Sequence, residues 1–142
     1  MRYVTPAEAV QLIDSGDSVY IQGSTSIPEV LSQALADRGG ELRDVTIYAA
    51  FAVGRCEAPY CRPEYKDSFN VKSLFVANNI RKWLAAGYGT TIPAFLGEIP
   101  ALFRDGTLPL DAVFLNVSPP NDEGYCSFGV SADLAVSATE CA

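Results

Sequence analysis

The sequence predicts one α/β domain, residues 1–142, built on a largely parallel sheet that is flanked by helices. The chain has 142 residues, a length that suits one domain and leaves little room for a second. Hydrophobic residues make up 49% of it, which allows a self-supporting core. Segments rich in β-branched and aromatic residues alternate with segments whose apolar residues recur at helical spacing, and this pattern is typical of strands with helical crossovers.

A helix and a strand are predicted at the start of the chain. Thr5 and Glu8 have the spacing of a capping box, and Pro6 stands at the first helical position. We expect this helix to end at Gly16. Residues 18–22, Ser-Val-Tyr-Ile-Gln, are typical of a strand.

A second helix connects this strand to the next one. Pro28 can start the helix and Gly39 ends it, and its apolar face consists of Val30, Leu31, Ala34 and Leu35. Residues 45–49, Val-Thr-Ile-Tyr-Ala, are predicted to form the second strand. Because a helix lies between the two strands, we expect them to run parallel in a right-handed crossover.

The middle of the chain contains a long segment without periodicity. Residues 51–69 include two prolines and two cysteines, and we predict a long loop of the kind that often carries function. A strand is expected at 71–77. Asn78 or Asn79 can then cap a helix that ends at Gly87.

The last third of the chain alternates short strands with helices. The predicted elements are strands at 90–92, 111–117 and 125–128 and helices at 98–104 and 131–138. Residues 111–117, Asp-Ala-Val-Phe-Leu-Asn-Val, carry the strongest strand signal. Pro119 and Pro120 must end that strand, because proline cannot donate to a ladder, and residues 121–124 are predicted to form a turn.

Charge and composition exclude several classes of function. The net charge is −7 and the chain has no cluster of basic residues, which argues against a nucleic-acid partner. No apolar run approaches the ~20 residues that span a bilayer, and the first residues lack the apolar core of a signal peptide. We therefore expect a cytoplasmic protein with no membrane partner and with reduced cysteines.

The absence of histidine limits the chemistry. It excludes a Ser-His-Asp triad, a Cys-His pair and any zinc site that uses histidine. Cys56 and Cys61 are separated by four residues, and no second close pair of cysteines accompanies them, so we expect packing cysteines rather than a metal or redox site. The sequence predicts no metal and no tightly bound cofactor.

Two loops that follow buried strands are candidate ligand sites, because ligands bind at the carboxyl ends of strands in open α/β sheets. Residues 23–28 lead into a helix N-terminus and contain three hydroxyl groups, although such residues can also serve only as a helix cap. Residues 117–127 are stiffened by two prolines, and they can equally be a rigid turn. Residues 78–82, Asn-Asn-Ile-Arg-Lys, can meet a phosphate or carboxylate or simply start a helix.

Several segments together resemble the acetyl-CoA hydrolase/transferase family, which includes 4-hydroxybutyrate CoA-transferases. They are residues 73–82, residues 92–100, residues 108–120, the Gly-Tyr-Cys-Ser run at 124–127 and the Gly-Val-Ser run at 129–131. Glu123 stands where the family often has histidine, and Ala77 where it often has glycine. The resemblance spans essentially the whole chain and implies the N-terminal domain of a longer CoA-transferase, so that the fold is expected to be incomplete.

The resemblance also implies a mechanism and a set of site residues. Family members have two similar α/β domains, and a glutamate of the second domain forms a glutamyl-CoA thioester. That glutamate has no match here, so we expect no catalytic residue in this chain and no activity from the chain alone. CoA or acyl-CoA and a small carboxylate of the acetate or 4-hydroxybutyrate class would be the substrates. The implied substrate-facing residues are Gly23, Ser24, Thr25, Pro28, Ser118, Pro119, Pro120 and Gly124. We add Asn78 and Asn79 from the helix start described above as candidate substrate-binding residues.

Two other functions remain open at this point. The same scaffold can serve an acyl-CoA hydrolase, in which water resolves the thioester. A domain of this kind can also be a non-catalytic module that binds CoA esters or carboxylates or docks onto another subunit. The expected protein partners are the missing C-terminal domain or a partner subunit, and a second copy of the chain in a homo-oligomer.

Overall fold

A computed structural model describes residues 3–52 and 57–142, which form a parallel five-stranded sheet with helices on both faces. The α/β class predicted from the sequence is confirmed. In chain order, the elements are α1 (Pro6–Ala9), β1 (Ser18–Ile21), α2 (Glu29–Asp37), β2 (Val45–Ala49), β3 (Phe69–Ser73), α3 (Asn78–Ala85), β4 (Thr90–Thr91), α4 (Ile99–Arg104), β5 (Ala112–Phe114) and α5 (Ala135–Cys141). Short 3-10 turns lie at Val10–Leu12 and Pro63–Tyr65.

The strand order is β4-β3-β2-β1-β5, and every neighbouring pair is parallel. In the register of β1, Val19 lies opposite Ile47 on one side and opposite Ala112 on the other. Because all strands point the same way, their carboxyl ends share one edge of the sheet. The loops at that edge are those in which ligand sites of open α/β sheets are found.

Alternation along the strands creates two cores. Val19 and Ile21 of β1 point to one face and pack in a cluster that includes residues of α2 and α3. Tyr20 points to the other face, where it packs with Phe103 of α4 and residues of α5. The rings of Tyr20 and Phe103 meet edge to face at 5.7 Å. The central strand β1 is therefore buried on both sides, as is usual in parallel sheets, whereas both residues of the edge strand β4 are exposed.

The predicted capping box is confirmed. The Thr5 hydroxyl accepts a hydrogen bond from the backbone N–H of Glu8, and the Glu8 carboxylate accepts one from the backbone N–H of Thr5. The Thr5 hydroxyl also donates to the Glu8 carboxylate at 2.7 Å, and this bond, together with that from the Thr5 N–H, favours the charged form and holds the pKa of Glu8 below its usual value. The helix itself is shorter than predicted, because the chain tightens into a 3-10 turn at Val10–Leu12.

Three predicted strands differ from the structure. The strand expected at 71–77 is β3, which ends at Ser73. The Ser73 hydroxyl donates a hydrogen bond to the Phe75 carbonyl two residues further along the chain. The strand expected at 111–117 is β5 and covers only three residues, because its partner β1 ends at Ile21. Residues 125–128 are not a strand and instead close a loop onto Ser118.

In the long segment predicted at 51–69, the described residues 51–52 and 57–68 contain one short 3-10 turn and no helix or named strand, but part of this loop is buried. Ala58, Tyr60 and Cys61 are buried in the core on the α2 face, and Phe69 already belongs to β3. Cys56 lies outside the described residues, so its relation to Cys61 stays a prediction. The last helix begins at Ala135 rather than 131. Within residues 3–52 and 57–142, no helix combines the length and the apolar character needed to cross a membrane.

Candidate functional site

The carboxyl edge of the sheet brings four chain segments together. They follow β1, β2, β3 and β5 and cover residues 22–28, 50–52, 74–77 and 115–131. The first and the last of these segments contain the two loops that the sequence singled out. Since β1 and β5 are direct neighbours in the sheet, both loops leave the edge side by side.

The residues that follow β1 pack tightly against the residues that follow β2. The Ser24 N–H donates to the Phe51 carbonyl at 2.6 Å, and Ser24 has a φ of 59°. A Cβ on Gly23 would lie 2.7 Å from the Phe51 carbonyl oxygen and 3.0 Å from the Ala50 Cβ. Glycine is therefore required at this position by the close approach of two backbones.

The buried amide of Gln22 ties the first loop to the last one. Its Oε1 accepts from the Asn116 N–H at 2.8 Å, and its Nε2 donates to the Ser131 carbonyl at 2.8 Å. Beside it, the hydroxyls of Thr25 and Ser131 are hydrogen-bonded at 2.9 Å. The loops after β1 and β5 are thus joined by side-chain contacts as well as by the sheet.

The loop at 117–130 is folded on itself. The backbone N–H of Ser118 donates to the Ser127 carbonyl and the Ser127 N–H donates to the Ser118 hydroxyl, both at 2.9 Å. Asn121 Oδ1 accepts from two backbone N–H groups, one of them that of Tyr125 at 2.9 Å. Gly124 has a φ of 86°, which closes the turn predicted at 121–124. The loop therefore has a defined shape although most of it is exposed.

An open groove of about 470 Å³ runs between the two loops. Thr25 and Pro28 line one wall, and Leu115 and Asn116 line the other. Pro28 is buried, and its carbonyl accepts from the Ser32 N–H at the start of α2. Glu29 is the one charged residue among the described residues that line the groove. Such a lining suits a small, largely uncharged group better than a polyphosphate.

The two asparagines of α3 have different environments. The predicted cap by Asn78 or Asn79 is wrong, because Ala77 is the N-cap and no side chain bonds there. Asn78 is exposed, whereas the Oδ1 of Asn79 is buried without a hydrogen-bond partner among the described residues. Asn79, Gly23 and Ser32 line a cavity of about 10 Å³, which is room for one water. The structure thus brings Asn79 close to Gly23, beneath the first loop.

A buried tyrosine of β1 lies on the face of the sheet that packs against α4 and α5. The Tyr20 hydroxyl approaches the Asp133 carboxylate at 3.4 Å. Burial, with the negative charge of Asp133, raises the pKa of Tyr20 far above its usual value. Tyr20 is therefore neutral at physiological pH and serves as a hydrogen-bond donor.

Sequence reasoning missed Gln22, Asn116 and Ser131 as parts of this edge. A signal for Gln22 was present, since a glutamine directly after the apolar residues of a buried strand needs partners for both amide atoms. Asn116 contributes through its backbone N–H, and Ser131 contributes through its carbonyl and its hydroxyl. No local pattern connects either residue to Gln22.

The N-terminal-domain profile of the acetyl-CoA hydrolase/transferase family matches residues 1–142. The chain belongs to this family. It is 32% identical over 141 residues to the 4-hydroxybutyrate coenzyme A transferase of Clostridium kluyveri, with 99% of this chain and 32% of that protein covered. It is also 32% identical over 135 residues to a succinyl-CoA:acetate/propanoyl-CoA:succinate CoA transferase of Fasciola hepatica, covering 94% of this chain and 27% of that protein.

Solved structures of similar proteins have the same fold. RipA from Yersinia pestis superposes with a TM-score of 0.84 at 26% identity, covering 98% of this chain and 34% of that one. A 4-hydroxybutyrate CoA-transferase from Porphyromonas gingivalis gives a TM-score of 0.75 at 32% identity, covering 97% and 30%. The chain therefore spans about a third of the length of these members of the acetyl-CoA hydrolase/transferase family.

Proposed function

We propose that this domain is the N-terminal part of a CoA-transferase that moves CoA between an acyl-CoA and a small carboxylate. The observation that carries the proposal is the groove between the loops after β1 and β5, at the edge of the sheet where ligands bind. The names of its relatives support the same proposal. These relatives are CoA transferases whose names include succinyl-CoA, acetate, 4-hydroxybutyrate or butyryl-CoA.

The groove is assigned to the hydrocarbon part of the acyl group or of the acceptor acid, whose carboxylate would be held elsewhere. Its walls at Thr25, Pro28 and Leu115 offer hydroxyl, apolar and backbone contacts to a short acyl chain. Neither lysine nor arginine is among the described residues that line it, so the phosphates of CoA would be held elsewhere. Ser118, Pro119, Pro120 and Gly124 belong to the loop that borders this groove at the Asn116 side.

The covalent chemistry is assigned to polypeptide outside these 142 residues. A carboxylate nucleophile accounts for group transfer in a chain without histidine, and we propose that a glutamate beyond this domain forms the glutamyl-CoA thioester. Loops at or near the carboxyl edge expose apolar side chains toward which such polypeptide can pack: Phe75, Phe95, Leu96, Val117, Tyr125 and Val130. The site would then lie between this edge and the added domain.

A transfer assay tests the proposal. The 142-residue chain and the product of its complete reading frame are each incubated with acetyl-CoA and butyrate, and butyryl-CoA is followed. We expect turnover by the longer product and none above a heat-killed control by the 142-residue chain. Turnover by the 142-residue chain would show that the nucleophile lies within it. CoA release by the longer product that does not depend on butyrate would favour a hydrolase instead.

A further inference from the structure

Gln22 is a fully buried polar side chain that the chemistry above does not use. Its exposed fraction is 0%, and both ends of its amide are hydrogen-bonded. The partners define the orientation of the amide, because one is a backbone N–H and the other a backbone carbonyl. Oε1 must therefore face Asn116 and Nε2 must face Ser131.

The two partners are the ends of one loop. The ladder between β1 and β5 ends at the pair Ile21 and Phe114, and the Gln22 N–H adds one bond to the Phe114 carbonyl. Beyond that point, hydrogen bonds from the side chain of Gln22 connect the two segments in place of backbone hydrogen bonds. The amide of Gln22 binds the chain at Asn116, just after β5 ends, and binds it again at Ser131, where the loop comes back beside Gln22.

Fixing both ends has a consequence for the whole loop. Residues 117–130 are bonded among themselves, through the Ser118–Ser127 and Asn121–Tyr125 contacts, and the base of this loop lies at residues 116 and 131. Most of them are exposed, so packing does little to hold them in place. The base of the loop determines where the loop lies relative to Thr25 and Pro28.

We propose that Gln22 is a positioning residue that sets the distance between the loops after β1 and β5 and so the shape of the groove. The proposal rests on the proposed function for its effect on catalysis, but the anchoring itself can be measured without activity. Gln22 acts through Asn116 and Ser131 and does not touch the substrate. An amide accepts at one end and donates at the other at every pH, which an ionised carboxylate of the same shape cannot do.

Gln22→Glu tests this with almost no change in shape. A protonated carboxyl can still accept from the Asn116 N–H and donate to the Ser131 carbonyl. An ionised carboxylate cannot donate, and it would face that carbonyl with a negative oxygen. Burial favours the neutral acid and raises the pKa of the introduced carboxyl, so the bond to the Ser131 carbonyl is present at low pH and lost as the pH rises through that value.

The titratable groups around this position are few among the described residues. The Tyr20 hydroxyl and the Asp133 carboxylate are hydrogen-bonded to each other on the α5 side. Glu57 borders the small cavity that Gln22 also lines, and its carboxylate is paired with Arg62 and Lys82. The negative charge of Asp133 acts in the same direction as burial and disfavours a second carboxylate.

Amide hydrogen exchange is the first measurement. In the wild-type chain, the loop N–H groups of Ser118, Asn121 and Ser127 are expected to keep one level of protection from pH 5 to pH 8, after correction for intrinsic rates. In Gln22→Glu, purified at pH 5, they should match the wild type at pH 5 and exchange at least about tenfold faster at pH 8. Gln22→Met, which removes both bonds, should exchange fast at either pH. The control Gln11→Glu changes an exposed glutamine and should behave as the wild type.

Transfer kinetics of the longer product are the second measurement. Gln22→Glu is expected to show a KM for the acceptor acid that rises with pH relative to the wild type, while Gln11→Glu shows none of this. Loop protection in Gln22→Met equal to that of the wild type would overturn the proposal. So would faster exchange that extends to the β2–β3 ladder, because Gln22 would then support the core in general. If the loop is released as expected but the wild type transfers no CoA, the anchor stands and the proposed function fails.

Discussion

Replacing Gly23 by alanine tests how closely the backbone after β1 approaches the backbone after β2. The new Cβ would lie 2.7 Å from the Phe51 carbonyl oxygen, well inside the distance that real Cβ atoms keep from backbone oxygens. It would also lie 3.0 Å from the Ala50 Cβ. Neither neighbour is the end of a flexible side chain, so one of the two backbones has to move.

The expected cost follows from overpacking. Extra methyl groups in tightly packed sites destabilise proteins by about 1–3 kcal/mol. Alanine also lowers the conformational entropy of the unfolded chain, which stabilises the folded state by about 0.4–1 kcal/mol. The net decrease in the free energy of unfolding is therefore about 1–2 kcal/mol. An unfolding entropy of about 2.1 cal/mol/K per residue converts this into a fall of about 3–7 °C in Tm for a chain of this length.

Thermal unfolding followed by circular dichroism measures the effect, with Gly97→Ala as the matched control. A Cβ on Gly97 would have no atom within 4 Å, and its φ is not positive. That variant should be neutral or slightly stabilised. If Gly23→Ala and Gly97→Ala unfold at the same temperature, the close approach of Gly23 to Ala50 and Phe51 does not exist in solution.

Two further predictions concern buried groups. Because burial raises the pKa of Tyr20 above that of an unfolded tyrosine, its contribution to stability is complete below about pH 10 and is lost as the pH rises further, so Tm should fall less steeply above pH 10 in Tyr20→Phe. Equal slopes would contradict this. Burial also raises the pKa of the Cys61 thiol to about 11, so a thiol reagent at pH 8 should label the exposed Cys126 long before Cys61, as read by mass spectrometry of the peptides. Equal labelling rates would show that the Cys61 region opens readily.

The sequence predicted the order of the elements because their signals are local. The capping box at Thr5 and the β-branched run at 45–49 depend on neighbours in sequence, and both are found in the structure. The lengths of β3 and β5 could not be predicted in the same way. A strand ends where its partner ends, and the partner of β5 is β1, far away in the chain.

The candidate site was predicted only in outline. The loops at 23–28 and 117–127 were identified because both follow buried strands, and this placement holds for any open α/β sheet. Their mutual contacts depend on Gln22, whose partners are 94 and 109 residues away. The tight contact of Gly23 with Phe51 likewise joins residues that no local pattern connects.

The outermost strands of the sheet, β4 and β5, are also its shortest, with two and three residues. An unpaired strand edge invites foreign strands, and proteins limit that risk by keeping edge strands brief. A partner that extends the sheet would find few backbone groups to pair with on either side. Exposed apolar side chains of the loops, such as Phe75, Phe95 and Tyr125, offer other polypeptide a contact surface that does not depend on strand addition.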